Sequence, residues 1–121
     1  MKTIASYCNK NIPDGWRDVS NSVKVVLQRD CMSFCRDSDK VQIIADLSDD
    51  TIKVSINTLD PKVLIDLQQG IPPDESIREY LIKVAPEVLK IFFPNLTFES
   101  EPQVKWVSQF FIHKFNSHLW N

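Results

Sequence analysis

The sequence predicts an α+β fold, in which a small antiparallel sheet built on a β-hairpin (about 40–58) is covered by three to four helices. Two observations lead to this prediction. Apolar residues alternate with other residues on both sides of Ser48-Asp49-Asp50, which is typical of two strands joined by a turn. Elsewhere apolar residues recur at helical spacing, and a hairpin needs helices on its apolar face to be stable. With 121 residues, the chain is expected to form a single domain (1–121).

The first helix is predicted to follow the loop around Gly15. The β-branched residues of the stretch Val23–Leu27 also favour a strand, so residues 19–35 are open to either interpretation, and we prefer the helix. The helical spacing rests on six apolar positions, which are Val19, Val23, Val26, Leu27, Cys31 and Phe34.

Two strands and two helices are predicted next. Asp60-Pro61 is typical of an N-cap followed by the first helical residue, and Gly70 of the residue just after a helix end. A further helix is expected to open at Pro72-Pro73-Asp74 and continue to Pro94, with Pro86 interrupting or kinking it. The strands of the hairpin are predicted from Val41, Ile43, Ala45 and Leu47, and from Ile52, Val54 and Ile56.

The last helix is predicted to have two apolar faces. Ser100-Glu101-Pro102-Gln103 is typical of a capping box, so this helix should run from about there to Leu119. Its core face would hold Val104, Val107, Phe111, Phe115, His118 and Leu119, and its opposite face Trp106, Phe110, His113 and Trp120. A helix that is apolar on both sides is either sandwiched within the fold or presents one face to another protein, where aromatic residues are common anchors.

The net charge of −2 hides an acidic middle of the chain. Residues 30–80 contain eleven acidic and five basic residues, a balance of −6, whereas residues 1–29 sum to +3 and residues 81–121 to +1. An acidic surface repels nucleic acids and anionic membranes and attracts a basic protein. We therefore expect Asp46, Asp49, Asp50 and Asp60 to contribute to partner binding, together with Trp106, Phe110, His113 and Trp120.

The stretch "RDCMSFCRD" contains Cys31 and Cys35, which are candidates for metal binding or redox chemistry. Together with His113 and His118 they supply the ligand types of a zinc site. On an ideal helix, however, the two histidines point about 140° apart, which is too far for one ion. A Cys-x3-Cys pair also differs from the usual Cys-x-x-Cys redox motif. We predict that Cys31 is buried and unligated, and that the protein holds no metal or other cofactor.

These observations favour a non-enzymatic protein-binding module in the cytoplasm. No apolar run is long enough to cross a bilayer, and the N-terminus lacks the apolar core of a secretory signal. By analogy of physical type, the module would be a stoichiometric inhibitor, such as an immunity protein that neutralises a basic toxin. Two alternatives stay open: a small zinc- or thiol-dependent enzyme using Cys31 and Cys35 with His113 or His118, and a subunit of a homo-oligomer.

Overall fold

The computed structural model of the chain describes residues 3–48, 51–96 and 103–104. A five-stranded sheet with the order β1-β2-β3-β4-β5 lies at its centre; β1 to β4 pair antiparallel and β5 pairs parallel with β4. The strands are β1 (Trp16–Asp18), β2 (Cys31–Arg36), β3 (Val41–Ser48), β4 (Thr51–Thr58) and β5 (Gln103–Val104). The helices are a 3-10 helix (Ile4–Tyr7), α1 (Ser20–Leu27), α2 (Pro61–Gln68) and α3 (Glu75–Phe92). The α+β class is confirmed.

The predicted hairpin is formed by β3 and β4. Its register runs from Val41 opposite Thr58 to Ser48 opposite Thr51. The alternation in the sequence places five apolar side chains on one face of the hairpin, where they are buried against α3: Val41, Ile43, Ala45, Val54 and Ile56. This face, with α3 and the N-terminal segment packed on it, is the main core of the described structure.

α3 continues through Pro86 without a break, so the predicted interruption is wrong. The helix begins where predicted: Asp74 is its N-cap, and the carboxylate accepts a hydrogen bond from the backbone N–H of Ser76. A proline inside a helix costs about 3 kcal/mol. That cost is outweighed by six buried apolar side chains, of which all except Ala85 stabilise the fold by roughly 1.5–3 kcal/mol each. The six are Leu81, Val84, Ala85, Val88, Leu89 and Phe92.

Residues 19–35 contain both a helix and a strand, so the single helix preferred from the sequence is wrong in its second half. α1 ends because Gln28 adopts a left-handed conformation with φ of 56°. Three residues later the chain enters β2, where Cys31 pairs with Asp46 and Phe34 with Ile43. A strand buried on both faces is apolar on both sides and lacks the alternation that marks a half-exposed one.

The capping-box interpretation at residues 100–103 is also wrong, because Gln103 and Val104 form β5 rather than the first turn of a helix. They pair with Ser55 and Ile56, which protects part of the outer edge of β4. The remainder of the predicted helix, from residue 105 onward, lies outside the described residues.

The second face of the sheet is covered in part by α1. Val23 and Leu27 from α1 pack with Cys31 and Ile44. Of the three described α-helices, α1 and α3 contribute buried side chains to the clusters on the sheet. The number of helices that cover the described sheet is therefore slightly smaller than the predicted three to four. Within residues 3–48, 51–96 and 103–104, no helix is both long and apolar enough to span a membrane.

Candidate functional site

The described residues include two of the predicted partner-binding residues, Asp46 and Asp60. Asp60 is the N-cap of α2, where its Oδ1 accepts a hydrogen bond of 3.0 Å from the backbone N–H of Lys62. The other six predicted residues lie outside the described residues and stay predictions: Asp49, Asp50, Trp106, Phe110, His113 and Trp120.

Asp46 is not part of an exposed surface, and its assignment as a docking residue is corrected. Its side chain is only 1% exposed on the second face of the sheet, where Oδ2 is paired with Nη1 of Arg29. Its other oxygen, Oδ1, is buried without a hydrogen-bond partner among the described residues. Strand alternation places Asp46 in line with Ile44 and Gln42 on β3, so this carboxylate is part of the fold and cannot touch a partner directly.

Cys31 and Cys35 lie on the same face of β2, at its two ends. A strand rises about 3.3 Å per residue, so their backbones are about 13 Å apart. Zinc–sulfur bonds are about 2.3 Å long, so one ion cannot bind both thiols. The zinc-enzyme alternative is therefore wrong in using the two cysteines together. No group of three or more metal-ligating side chains occurs within the described ranges.

The three cysteines are free and buried, and their thiols resist ionisation. Burial, followed by the nearby carboxylate of Asp46, raises the pKa of Cys31 to about 11. Burial, followed by Asp18, raises the pKa of Cys8 to about 11. Burial likewise raises the pKa of Cys35. Because the thiolate is the nucleophilic form, these environments do not activate a thiol for catalysis.

A thiol-reactive reagent tests this burial. With the folded protein at pH 8, we expect none of the three thiols to react with a disulfide reagent before the chain opens, because each is both inaccessible and protonated. In 8 M urea all three should react rapidly. The measurement is the thiol release over time, and one equivalent of rapid reaction in the folded protein would contradict the buried placement.

Three carboxylates of the acidic middle, those of Asp37, Asp39 and Asp46, are paired with arginines. Arg17 on β1 and Asp37 form a two-point pair, with distances of 2.8 and 3.1 Å. Arg36 binds Asp39 in the same way, with distances of 2.9 and 2.7 Å, and its guanidinium lies over the ring of Trp16. Such bidentate pairs are the stronger form of this interaction.

The Arg36–Asp39 pair also connects the β2–β3 turn to α3. The hydroxyl of Tyr80 donates a hydrogen bond to Oδ2 of Asp39. The hydrogen bond from Arg36, opposed by burial and reinforced by Tyr80, lowers the pKa of Asp39. The hydrogen bond that Tyr80 donates to Asp39 raises the pKa of Tyr80, because the ionised tyrosine would lose it.

We expect Asp39→Asn to destabilise the protein at pH 7 by on the order of 1 kcal/mol, because the pair is only partly exposed. The folded-state pKa of Asp39 is depressed, so its contribution is present above its unfolded pKa, about 3.9, and is lost as pH falls through the folded value. The difference between wild type and variant in urea unfolding should therefore shrink below pH 4. Asp37→Asn, at a pair whose side chains are both more than half exposed, is the matched control and should change stability much less.

The negative charge that remains is concentrated between the start of α2 and the first turns of α3. We call residues 60–79 the α2–α3 surface. It contains five acidic and two basic residues, a balance of −3. Residues 30–59 also sum to −3, but Arg17 and Arg29 pair with Asp37 and Asp46 there and reduce the local balance to −1. The α2–α3 surface is therefore the most acidic continuous stretch of the described structure.

Sequence reasoning missed the exposed apolar side chains on this surface. Ile65 on α2 is 52% exposed and Ile71, after the helix, is 46% exposed. α2 has apolar residues at four of its eight positions, at Val63, Leu64, Ile65 and Leu67, which cannot all face one side of a helix. That crowding was the signal that one of them had to remain at the surface.

Comparisons with protein-family models, curated proteins and solved structures found no match to this chain. The function must therefore be argued from the site itself.

Proposed function

We propose that this chain is a non-enzymatic cytoplasmic protein that binds a basic protein partner stoichiometrically and inhibits it, in the manner of an immunity protein that neutralises a toxin. The observation that supports the proposal most is the uneven distribution of negative charge. Asp37 and Asp39 in the β2–β3 turn and Asp46 on β3 are paired with arginines, whereas the α2–α3 surface retains a balance of −3. An unneutralised acidic surface accelerates encounter with a basic protein.

The three thiols and two of the carboxylates also have structural positions in the fold. The three thiols are buried and protonated at neutral pH, and the carboxylates of Asp60 and Asp74 cap helices. These placements favour a binding role over catalysis by the same side chains. The predicted aromatic residues Trp106, Phe110, His113 and Trp120 would add anchors to the interface if they are exposed.

The test begins with purification of the full chain, carrying an affinity tag, from its own cells at low salt. We expect a complex with one basic protein that dissociates as ionic strength rises. Its mass by light scattering should correspond to 1:1 stoichiometry. Addition of one equivalent of the chain should abolish the activity of the isolated partner.

Charge-reversal variants then connect the complex to the acidic surface. Glu79→Lys on α3 should slow association with the partner, and Asp14→Lys, on an exposed loop outside the surface, should not. A chain that forms no complex at low salt would refute the proposal. So would a complex whose association rate is the same in both variants and independent of salt.

A further inference from the structure

We infer that Ile65 and Ile71 are the apolar centre of the docking site and that they receive a basic, partly apolar segment of the partner protein. This inference rests on the proposed function and adds a location and a chemistry to it. Among the described residues, few large apolar side chains are more than two-fifths exposed, and Ile65 and Ile71 are two of them. Single exposed apolar residues are ordinary on protein surfaces. What distinguishes Ile65 and Ile71 is that they lie close to each other and that acidic residues surround them.

The turn after α2 brings the two isoleucines into the same part of the molecule. The backbone N–H of Ile71 donates a hydrogen bond of 2.8 Å to the carbonyl of Asp66, the residue that follows Ile65. The N–H of Gln69 donates to the carbonyl of Ile65 at 3.2 Å. Gly70, with φ of 77°, allows the chain to reverse here. The segment after α2 therefore folds back onto the last turn of the helix and holds Ile71 beside it.

The groups around this apolar centre select a cationic partner. Asp60 lies at the start of α2, and Asp66 is within its last turn, where Lys62 pairs with it. Asp74 and Glu75 begin α3 three and four residues after Ile71. An apolar centre with an acidic rim complements a segment that combines lysine or arginine with an apolar side chain, which is the usual arrangement of a hydrophobic interface core and polar rim.

The buried native cysteines make a site-directed experiment feasible. Ile65→Cys and Ile71→Cys each introduce a single accessible thiol, to which a benzophenone maleimide is attached. Val25→Cys and Ile82→Cys are matched controls, because both positions are exposed apolar residues outside the α2–α3 surface. Each labelled full-length chain is added to extract of its own cells and irradiated, and the cross-linked product is identified by mass. The captured protein is then purified and its Kd measured with unlabelled variants.

We expect one protein with net positive charge to be linked at positions 65 and 71 and not at positions 25 and 82. The Ile65→Ser/Ile71→Ser variant should bind it at least about tenfold more weakly, while Ile82→Ser should bind it normally. Cross-linking of that protein only at positions 25 or 82 would overturn the location and leave the proposed function standing. A product of twice the chain's own mass, or an acidic protein, would overturn the assigned partner. No product at any position, with no complex at low salt, would refute both.

Discussion

Phe92→Ala should lower the free energy of unfolding by about 4 kcal/mol, because the side chain is completely buried at the centre of the main core. Its ring stacks on Phe34 from β2 at 4.2 Å between centroids, and meets Trp16 from β1 edge-on at 5.0 Å. One side chain therefore joins α3 to two strands. Aromatic pairs of this kind add about 0.5–1.5 kcal/mol each beyond the area they bury.

Small domains are stable by roughly 5–15 kcal/mol, so Phe92→Ala is expected to remove between about a quarter and most of that stability. Phe92→Leu keeps most of the volume and should cost less, which keeps the effect measurable by urea unfolding followed by circular dichroism. Ile82→Ala, on the exposed side of the same helix at 44% exposure, is the control and should change stability by less than about 0.5 kcal/mol. Equal losses at positions 92 and 82 would contradict the packing of α3 on the sheet.

The parts of the fold that could be predicted are those with one dominant local signal. Asp60-Pro61 at one end and Gly70 at the other define α2, because N-cap chemistry and a positive φ each require particular residues. The hairpin followed from alternation, because one face of β3 and β4 is apolar. Apart from the N-cap of α3 at Asp74, the ends of the remaining elements depend on contacts between distant residues, and no short stretch of sequence records them.

The second face of the sheet shows most clearly why alternation misled. Besides Asp46, four polar side chains point to that face and are nevertheless buried: Ser33, Gln42, Ser55 and Asn57. The hydroxyl of Ser33 accepts from Gln42 and donates to the carbonyl of Ile43, both at 3.0 Å, so part of this face satisfies its own hydrogen bonds. Oδ1 of Asn57 has no such partner among the described residues. The sequence assigns Asp46 to a docking surface because it belongs to the acidic middle of the chain, and charge alone does not indicate that a carboxylate is buried on this face.

The structure changes where negative charge is expected to be concentrated. Residues 30–80 do contain an excess of acidic residues. In the folded chain, however, Arg17 and Arg29 from the preceding segment pair with Asp37 and Asp46 and neutralise part of that excess. With these pairs formed, residues 60–79, in α2 and the start of α3, have the largest negative balance of the described stretches. Asp60 is the one predicted docking residue that the structure places on that surface.

The Arg29–Asp46 pair should give the second large effect on stability. Arg29→Met removes the partner of a carboxylate that is 1% exposed, and should lower the free energy of unfolding by about 3 kcal/mol, because a buried charge is left uncompensated. Asp46→Leu alone leaves the guanidinium, which is 35% exposed, and water can solvate it. Its loss should therefore be smaller than that of Arg29→Met.

A double-mutant cycle separates the value of the pair from the cost of breaking it. In Arg29→Met/Asp46→Leu both charges are gone and the unpartnered Oδ1 is removed as well, so the double variant should be more stable than Arg29→Met alone. The same cycle on the exposed pair, Arg17→Met/Asp37→Leu, is the control and should show coupling of less than about 1 kcal/mol that fades at high salt. If the two buried-site losses simply added in urea unfolding, Arg29 and Asp46 would be independent. That result would contradict the buried contact between the two side chains.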